Sequence, residues 1–128
     1  MERNYDDVMN SVCGLLPQTI AGDGAEHLSA ALDLGHCRNG VLLVNAGEMD
    51  ALSTLTVQVL TCDTSDGTYT DVLAADEDIG VAGKNTLYEY ELLYLERYVK
   101  FQYSVTNAKN ALFGATITGW AAPVRPVA

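Results

Sequence analysis

One segment constrains the fold most strongly: in residues 95–106, LERYVKFQYSVT, apolar and polar side chains alternate almost without error. Val99, Phe101, Tyr103 and Val105 fall on one side of an extended chain, and polar residues fall between them. A period of two is typical of a β-strand with one buried face. The segment offers no obvious nucleophile, base or metal ligand, so the role that it predicts is architectural.

Similar strand patterns, separated by turns, recur in six other segments: residues 28–34, 40–47, 54–61, 69–73, 87–94 and 111–120. Residues 40–47, GVLLVNAG, form a continuous apolar run, which predicts a strand buried on both faces. In residues 54–61 we expect Leu55 to face the core and Gln58 to face solvent. The acidic, glycine-containing stretch 74–84 is predicted to be a loop.

Seven or eight short strands with no long helical pattern between them exclude parallel βαβ units. The predicted fold is therefore all-β, an antiparallel β-sandwich or a jelly roll. A chain of 128 residues is long enough for one domain with its own core. We place the sandwich at residues 25–122, between an N-terminal arm at 1–24 and a tail at 123–128, whose prolines forbid a central strand.

The N-terminal arm has a different pattern, because residues 4–16, NYDDVMNSVCGLL, favour a short helix that ends at Pro17. An apolar stripe at helical spacing runs along one side of it: Tyr5, Val8, Val12 and Leu15. So short a helix is marginal alone, so we expect it to dock on its own domain or on a neighbouring subunit. An arm that is extended rather than helical is the alternative.

The charge balance limits the classes of partner. Seventeen acidic residues face seven basic ones, which gives a formal net charge of −10, and the basic residues are scattered. Binding to nucleic acid or to an anionic membrane needs a basic patch, so neither partner is expected. The acidic N-terminus, MERNYDDVMN, is not a signal peptide, and no apolar run is long enough for a membrane span.

The residue types that carry chemistry are few and scattered. Cys13, Cys37 and Cys62 form no CxxC pair, and we expect them to be reduced thiols, with a single bridge as the alternative. His27 follows Glu26, and His36 precedes Cys37, but neighbouring strand residues point to opposite faces and make poor acid–base pairs.

No enzyme, cofactor or metal is expected for the same reason. The acidic stretch DTSDGTYTD, residues 63–71, lacks the spacing of a calcium loop and is interpreted as a solvated hairpin turn. The thiols and imidazoles are too dispersed for a zinc site. Five of the seven tyrosines sit in two successive predicted strands: Tyr88, Tyr90, Tyr94, Tyr98 and Tyr103. They predict sheet packing or a protein interface, with a sugar-binding platform as the alternative.

Four segments carry a resemblance to a known family: ALDLGHCRNGVLLVNAG (31–47), LTVQVLTCDTSDGTYTDVLAAD (55–76), LERYVKFQYSVTNAKNALFGATITG (95–119) and PVRPV (123–127). A strand ending in N-G, an acidic SDG hairpin, an RYV strand and a proline-containing tail follow one another in this order. Together they resemble a family of small proteins of tailed bacteriophages that are similar to head decoration, or cement, proteins.

The resemblance implies a structural virion protein, synthesised in the cytoplasm of a bacterial host, on the outer surface of an icosahedral capsid. It implies that the protein bridges subunits of the major capsid protein, acts as a homodimer or homotrimer, and does no chemistry. Both ends of the chain carry apolar groups outside the regular strand pattern, so the expected partner contacts are Tyr5, Val8, Val12, Leu15, Leu16, Trp120, Val124 and Arg125. The alternatives are a carbohydrate-binding or adhesion module and a head–neck or tail completion protein.

Overall fold

The computed structural model describes residues 9–73 and 76–120. The strands within these ranges are β1 (Met9–Ala21), β2 (His27–Leu28), β3 (Leu32–Asp33), β4 (Asn39–Met49), β5 (Thr54–Cys62), β6 (Thr70–Asp71), β7 (Glu77–Gly80), β8 (Thr86–Leu92), β9 (Tyr98–Val105) and β10 (Asn110–Trp120). One 3-10 turn, Val81–Gly83, precedes β8. Across the described ranges, no helix has the length and apolarity that crossing a membrane would require.

The strands form two antiparallel sheets. Sheet A has the order β1-β10-β4-β8, and sheet B is built on β9 and β5. The short strands β2 and β3 both pair with β9, whereas β6 and β7 both pair with β5, so each short pair occupies one strand position. The described residues therefore fill eight strand positions, and β10 returns to lie between β1 and β4. This is the topology of a jelly roll, so the predicted all-β sandwich is confirmed and its topology is resolved.

The core lies between the sheets and is built from the inward positions of the long strands. Members that are at most 1% exposed include Leu42, Val44, Leu55, Val57, Val59, Leu92, Val99, Phe101, Phe113 and Ile117. Leu55, which was predicted to face the core, is buried, and so are Val99, Phe101 and Val105 on the predicted apolar side of residues 95–106. Truncating a large buried side chain such as Phe101 to alanine costs about 3–5 kcal/mol.

The helix predicted for residues 4–16 is wrong over its described part, because Met9–Ala21 is an edge strand of sheet A. Two irregularities in its register, between Cys13 and Leu15 and between Leu15 and Gln18, explain the error. A bulge adds one residue to a strand, so the core-facing Val12 and Leu15 are separated by three positions rather than two. Such spacing imitates a helical stripe.

The bulged geometry also accounts for Gly14 and Pro17. A Cβ on Gly14 would lie 2.8 Å from the Cβ of Phe101, so the glycine lets the edge strand pass close to the core. Pro17 is tolerated because proline is compatible with edge strands and bulges. Since β1 is part of sheet A, the sandwich includes residues from Met9 onward, and the boundary predicted at residue 25 is too late.

Two smaller predictions are corrected. The stretch 74–84, predicted to be a loop, contains β7, which pairs with Thr54–Val57 of β5. Gln58, predicted to face solvent, is only 2% exposed. Its Oε1 accepts hydrogen bonds from the backbone N–H of Val59 (2.8 Å) and Leu73 (3.2 Å), and its Nε2 donates to Asp76 Oδ1 (3.1 Å). The segment that follows β6 therefore covers this side chain.

Candidate functional site

The side of sheet A that points away from the core, here called the A face, carries several exposed or half-buried apolar side chains among polar ones. It comprises Ser11, Cys13, Pro17 and Thr19 of β1; Leu112, Thr116, Thr118 and Trp120 of β10; Val41, Leu43 and Asn45 of β4; and Leu87, Glu89 and Glu91 of β8. Leu87 is 55% exposed, Trp120 39% and Leu112 38%. Single exposed leucines are ordinary, but apolar residues spread over one face are typical of an interaction surface.

The strand β4 shows most clearly that the A face is unlike ordinary solvated sheet. Leu42 and Val44 are fully buried in the core, and the intervening Val41 and Leu43 are only half-buried on the A face. An antiparallel strand with one solvated face normally alternates apolar and polar residues. The continuous apolar run was interpreted as a strand buried on both faces, and the second face lies at the surface of the domain.

A shallow groove crosses the middle of the A face. It has a volume of about 260 Å³ and is lined by Leu15, Pro17, Leu43, Asn45, Leu87, Gly114, Ala115 and Thr116. Its floor is Gly114, where an added Cβ would lie 2.9 Å from the ring of Pro17. The glycine thus allows the bulged edge strand to fold over β10 and form one wall.

A second groove lies at the end of the A face where β10 finishes. It has a volume of about 320 Å³ and is lined by Gly40, Val41, Glu89, Glu91 and Trp120. A third, of about 240 Å³, lies toward the opposite end, beside Leu112, Glu48 and Asp50. The three grooves make the A face a corrugated surface, which suits docking of an irregular partner surface better than a flat sheet does.

The structure separates the predicted contact residues into three groups. Val12 and Leu15 are half-buried and pack against the core, although Leu15 also lines the middle groove. Leu16 is 69% exposed on the edge strand, and Trp120 lies on the A face. Tyr5, Val8, Val124 and Arg125 lie outside the described residues. Because Met9 pairs with Trp120, the two flanking segments join sheet A at neighbouring positions.

The outer side of sheet B, here called the B face, is polar and internally bonded. Its outward side chains are Thr54, Thr56, Gln58 and Leu60 of β5 and Tyr98, Lys100, Gln102 and Ser104 of β9. The hydroxyl of Thr56 donates to Asp78 Oδ1 at 2.8 Å. The ammonium of Lys100 lies 4.5 Å from the centre of the Tyr69 ring. Thr56, Gln58 and Lys100 of this face therefore each have a partner within the domain.

At one edge of the B face, the Arg97 guanidinium binds both carboxylate oxygens of Asp33, each at 3.0 Å. The hydrogen bond from Arg97 holds the pKa of Asp33 below its ordinary value. Nearer the N-terminal turn, His27 Nε2 lies 2.9 Å from an Asp23 carboxylate oxygen, and this hydrogen bond likewise lowers the pKa of Asp23. The His27 ring stacks on Tyr103 with centroids 5.4 Å apart. These ion pairs join strands and turns within sheet B.

The thiols and imidazoles do not assemble into a reactive group within the described ranges. Cys37 is buried beside the exposed His36, and burial raises the pKa of its thiol, which disfavours the nucleophilic thiolate. Cys62, Asp63 and Glu96 bring three ligand atoms within 4.8 Å of one another. Structural zinc takes four ligands, and the two carboxylates here are exposed. Sequence spacing gave no sign of Glu96 at this cluster.

The tyrosines do not share one surface. Tyr88 and Tyr90 point toward the core side of β8 with their rings 6.3 Å apart, and the hydroxyl of Tyr88 donates to the Gly83 carbonyl at 2.7 Å. Tyr103 packs against Phe113 in the core. Tyr98 is on the B face, and Tyr94 is in the loop between β8 and β9. These tyrosines are therefore divided between the core side, the B face and a loop, and they do not form the continuous aromatic surface that a sugar-binding platform would need.

No family model matches the chain, and no curated protein sequence matches it. Solved structures with the same fold do match. The crystal structure of the PBSX exported protein XepA aligns with 100% of this chain at a TM-score of 0.62 and 17% identity. The structure of the infectious bursal disease virus Gx strain aligns with 86% at a TM-score of 0.53 and 12% identity. The chain spans 42% and 32% of those two proteins, and at these identities the likeness establishes the fold alone.

Proposed function

We propose that this protein decorates the outer surface of an icosahedral phage capsid and stabilises it by bridging subunits of the major capsid protein. The observation that carries the proposal is the apolar surface of the A face. Leu87 is exposed there, and Val41 and Leu43 are only half-buried, so a partner that covered the A face would remove apolar area from water. The fold that the chain shares with a PBSX phage protein and with a viral structure supports a virion location. The sequence resemblance to cement proteins supports the same assignment.

The mechanism is linkage between binding and assembly. A protein that binds across the seam between two subunits binds the assembled shell better than separated subunits, so its binding free energy stabilises the shell. A stable contact of this kind buries about 1,000 Å² or more. A jelly roll with a continuous core is a rigid body, which lets the A face transmit force between the subunits that it contacts.

The flanking segments complete the proposed contact. Met9 and Trp120 are cross-strand neighbours, so the points at which residues 1–8 and 121–128 connect to sheet A are adjacent. Tyr5, Val8, Val124 and Arg125 remain proposed contacts for a capsid subunit or for a second copy of this chain, in a homodimer or homotrimer. Replacing Tyr5 and Val8 together with alanine, which leaves β1 intact, tests their share of the binding.

Binding without chemistry is the second half of the proposal. The acidic and basic side chains of the described ranges are used in ion pairs and turns or are solvated, and the thiols Cys37 and Cys62 are buried. We therefore propose that the protein is not an enzyme and needs no cofactor. Replacing His36 and Cys37 with alanine is expected to leave shell binding unchanged.

The experiment mixes purified protein with undecorated shells and, separately, with dissociated major capsid protein. We expect saturable binding to shells at hundreds of copies per particle, weak binding to free subunits, and a raised temperature of shell disruption. About a dozen copies per particle would instead identify a neck or tail completion protein. Absence from purified virions, or binding to a glycan array in place of shells, would refute the decoration role.

A further inference from the structure

The groove beside Trp120 differs from the other two in combining an apolar floor with an acidic wall. Val41 forms the floor, the Trp120 side chain closes one side, and Glu89 and Glu91 stand on the other. Strand register fixes this arrangement, because Val41 pairs with Glu91 and Leu43 pairs with Glu89 across β4 and β8. As β8 is the outer strand of sheet A, the acidic wall is also the edge of the sheet.

The two carboxylates have no cationic partner among the described residues. The ion pairs of this part of the chain join Lys84 to Glu48, Arg97 to Asp33 and His27 to Asp23. Arg38, at the same end of sheet A, donates its Nη1 hydrogens to the carbonyls of Gly35 and Cys37. Glu89 and Glu91 thus present two negative charges, about 7 Å apart along one strand, at the mouth of an apolar groove.

We propose that this groove binds an arginine side chain, flanked by apolar residues, from an extended segment of the partner protein. The proposal rests on the proposed function, in which that partner is the major capsid protein. An arginine places its methylene stem on apolar surface and keeps its charged end at the rim. The guanidinium stacks on an aromatic ring and forks between carboxylate oxygens. The groove supplies Val41 for the stem, Trp120 for the stack and Glu89 and Glu91 for the fork.

Arginine fits better than lysine because a planar guanidinium can stack on Trp120 and donate to both carboxylates at once. An extended segment fits better than a helix because β8 is an edge strand, and an extended chain can lie alongside such a strand. Charge complementarity also gives direction to docking: the chain carries a net charge of −10, and basic residues on a partner are steered toward it.

The chain contains one tryptophan, so its fluorescence reports on this groove directly. The probe is the peptide acetyl-Leu-Arg-Leu-Arg-Leu-amide, titrated against the full chain, with a counterpart in which glutamine replaces arginine. We expect a saturable change in Trp120 emission with the arginine peptide and at least tenfold weaker binding of the glutamine peptide. The double variant Glu89→Gln, Glu91→Gln is expected to bind the arginine peptide at least tenfold more weakly.

The matched control removes the same charge elsewhere. Asp66 and Asp71 are exposed in and beside the β5–β6 hairpin, and the variant Asp66→Asn, Asp71→Asn should respond to the peptide as the unaltered chain does. Equal binding of the two peptides, or an equal loss in the control, overturns the proposal. Binding that appears only after Arg125→Gln also overturns it, because the chain's own tail would then be the occupant.

A second arm separates this inference from the proposed function. If shells are decorated and the Glu89→Gln, Glu91→Gln variant binds them as tightly as the unaltered protein, the arginine groove is wrong and the decoration role stands. If shells are not decorated and Trp120 still distinguishes the two peptides, the decoration role is wrong and the groove stands. Support for both requires at least tenfold weaker shell binding by the variant and a shallower dependence on salt concentration.

Discussion

The two outer faces of this sandwich differ in how completely the domain satisfies them. On the B face, Gln58, Thr56 and Lys100 each have a partner within the domain, in a hydrogen bond or over an aromatic ring. On the A face, Leu87 and Trp120 are exposed, and Glu89 and Glu91 have no cation beside them in the described ranges. Both sheets enclose the same core, so packing of the core does not explain why their outer faces differ in chemistry.

The comparison teaches that surface chemistry, rather than fold, points to the part of the molecule that contacts a partner. A jelly roll serves many functions, and function must be argued from a site. A face whose polar atoms are satisfied within the domain gains little from being covered. An apolar face gains about 25 cal/mol for each Å² of apolar area removed from water.

We expect the largest effect when the same substitution, leucine to aspartate, is made once on each sheet. Leu87 on the A face and Leu28 at the edge of sheet B are equally exposed, at 55% and 54%. We expect Leu87→Asp to weaken shell binding about a hundredfold, roughly 2.7 kcal/mol, because a carboxylate would be buried beside Glu89 without a partner. Leu28→Asp is expected to bind as the unaltered chain does, and equal loss by the two variants would break the comparison.

The buried Gln58 beneath the B face is expected to contribute more to the free energy of unfolding than an exposed hydrogen bond on the A face does. Gln58→Leu leaves the backbone N–H groups of Val59 and Leu73 without their side-chain acceptor, so we expect a loss of about 2 kcal/mol in the free energy of unfolding. Ser11→Ala removes the exposed bond to Thr118 in sheet A and should cost less than about 0.5 kcal/mol. Urea unfolding of both variants measures the difference, and comparable losses would contradict it.

Two glycine-to-alanine substitutions, one in each sheet, test whether close packing of backbone shapes the A face. A Cβ on Gly114 would press on Pro17 at 2.9 Å, so Gly114→Ala should displace β1, cost about 1.5 kcal/mol and reshape the middle groove. At Gly80, on the edge strand β7 of sheet B, an added Cβ meets nothing within 4 Å. Gly80→Ala should change stability by less than about 0.5 kcal/mol. Thermal unfolding that ranks the two variants the other way would show that the groove wall is not rigid.

Sequence pattern alone gave the sheet content and most of the core, because alternation along β5, β8, β9 and β10 survives in the structure. It failed on β1, where two bulges turned a strand period into the spacing of a helix. Bulges depend on what the strand packs against, here Phe101 beneath Gly14, and that contact lies far away in the sequence. The strand assignment of Met9–Ala21 therefore needed the tertiary structure.

The candidate site was partly visible in the sequence. Residues 40–47 were correctly predicted to form a strand, but the prediction that both of its faces are buried is wrong, because Val41 and Leu43 are only half-buried and Asn45 is exposed. One sequence cannot show which apolar face is covered by the same chain. Trp120 was predicted to be a partner contact, whereas Leu87, Glu89 and Glu91 were not predicted to belong to any site. Glu89 and Glu91 lie beside Val41 only because β4 pairs with β8, and no local pattern in either segment specifies that pairing.

The smallest expected effect concerns the ion pair at the edge of the B face. Because Arg97 lowers the pKa of Asp33 in the folded state, this carboxylate stabilises the fold above its unfolded pKa, and the contribution is lost as the pH falls through the lower, folded value. We expect Asp33→Asn to reduce stability slightly at pH 7 and to flatten the decline in stability below about pH 4. Identical acid-unfolding curves for the variant and the unaltered chain would show that the pair contributes nothing.

The central claim is that the A face is covered when the protein acts and the B face is not. Hydroxyl-radical footprinting of decorated shells, read residue by residue with mass spectrometry, tests this directly. We expect strong protection of Leu43, Leu87 and Trp120 relative to the free protein, with Leu28, Tyr69 and Tyr98 as reactive as before. Protection of the second group with continued oxidation of the first would contradict the account.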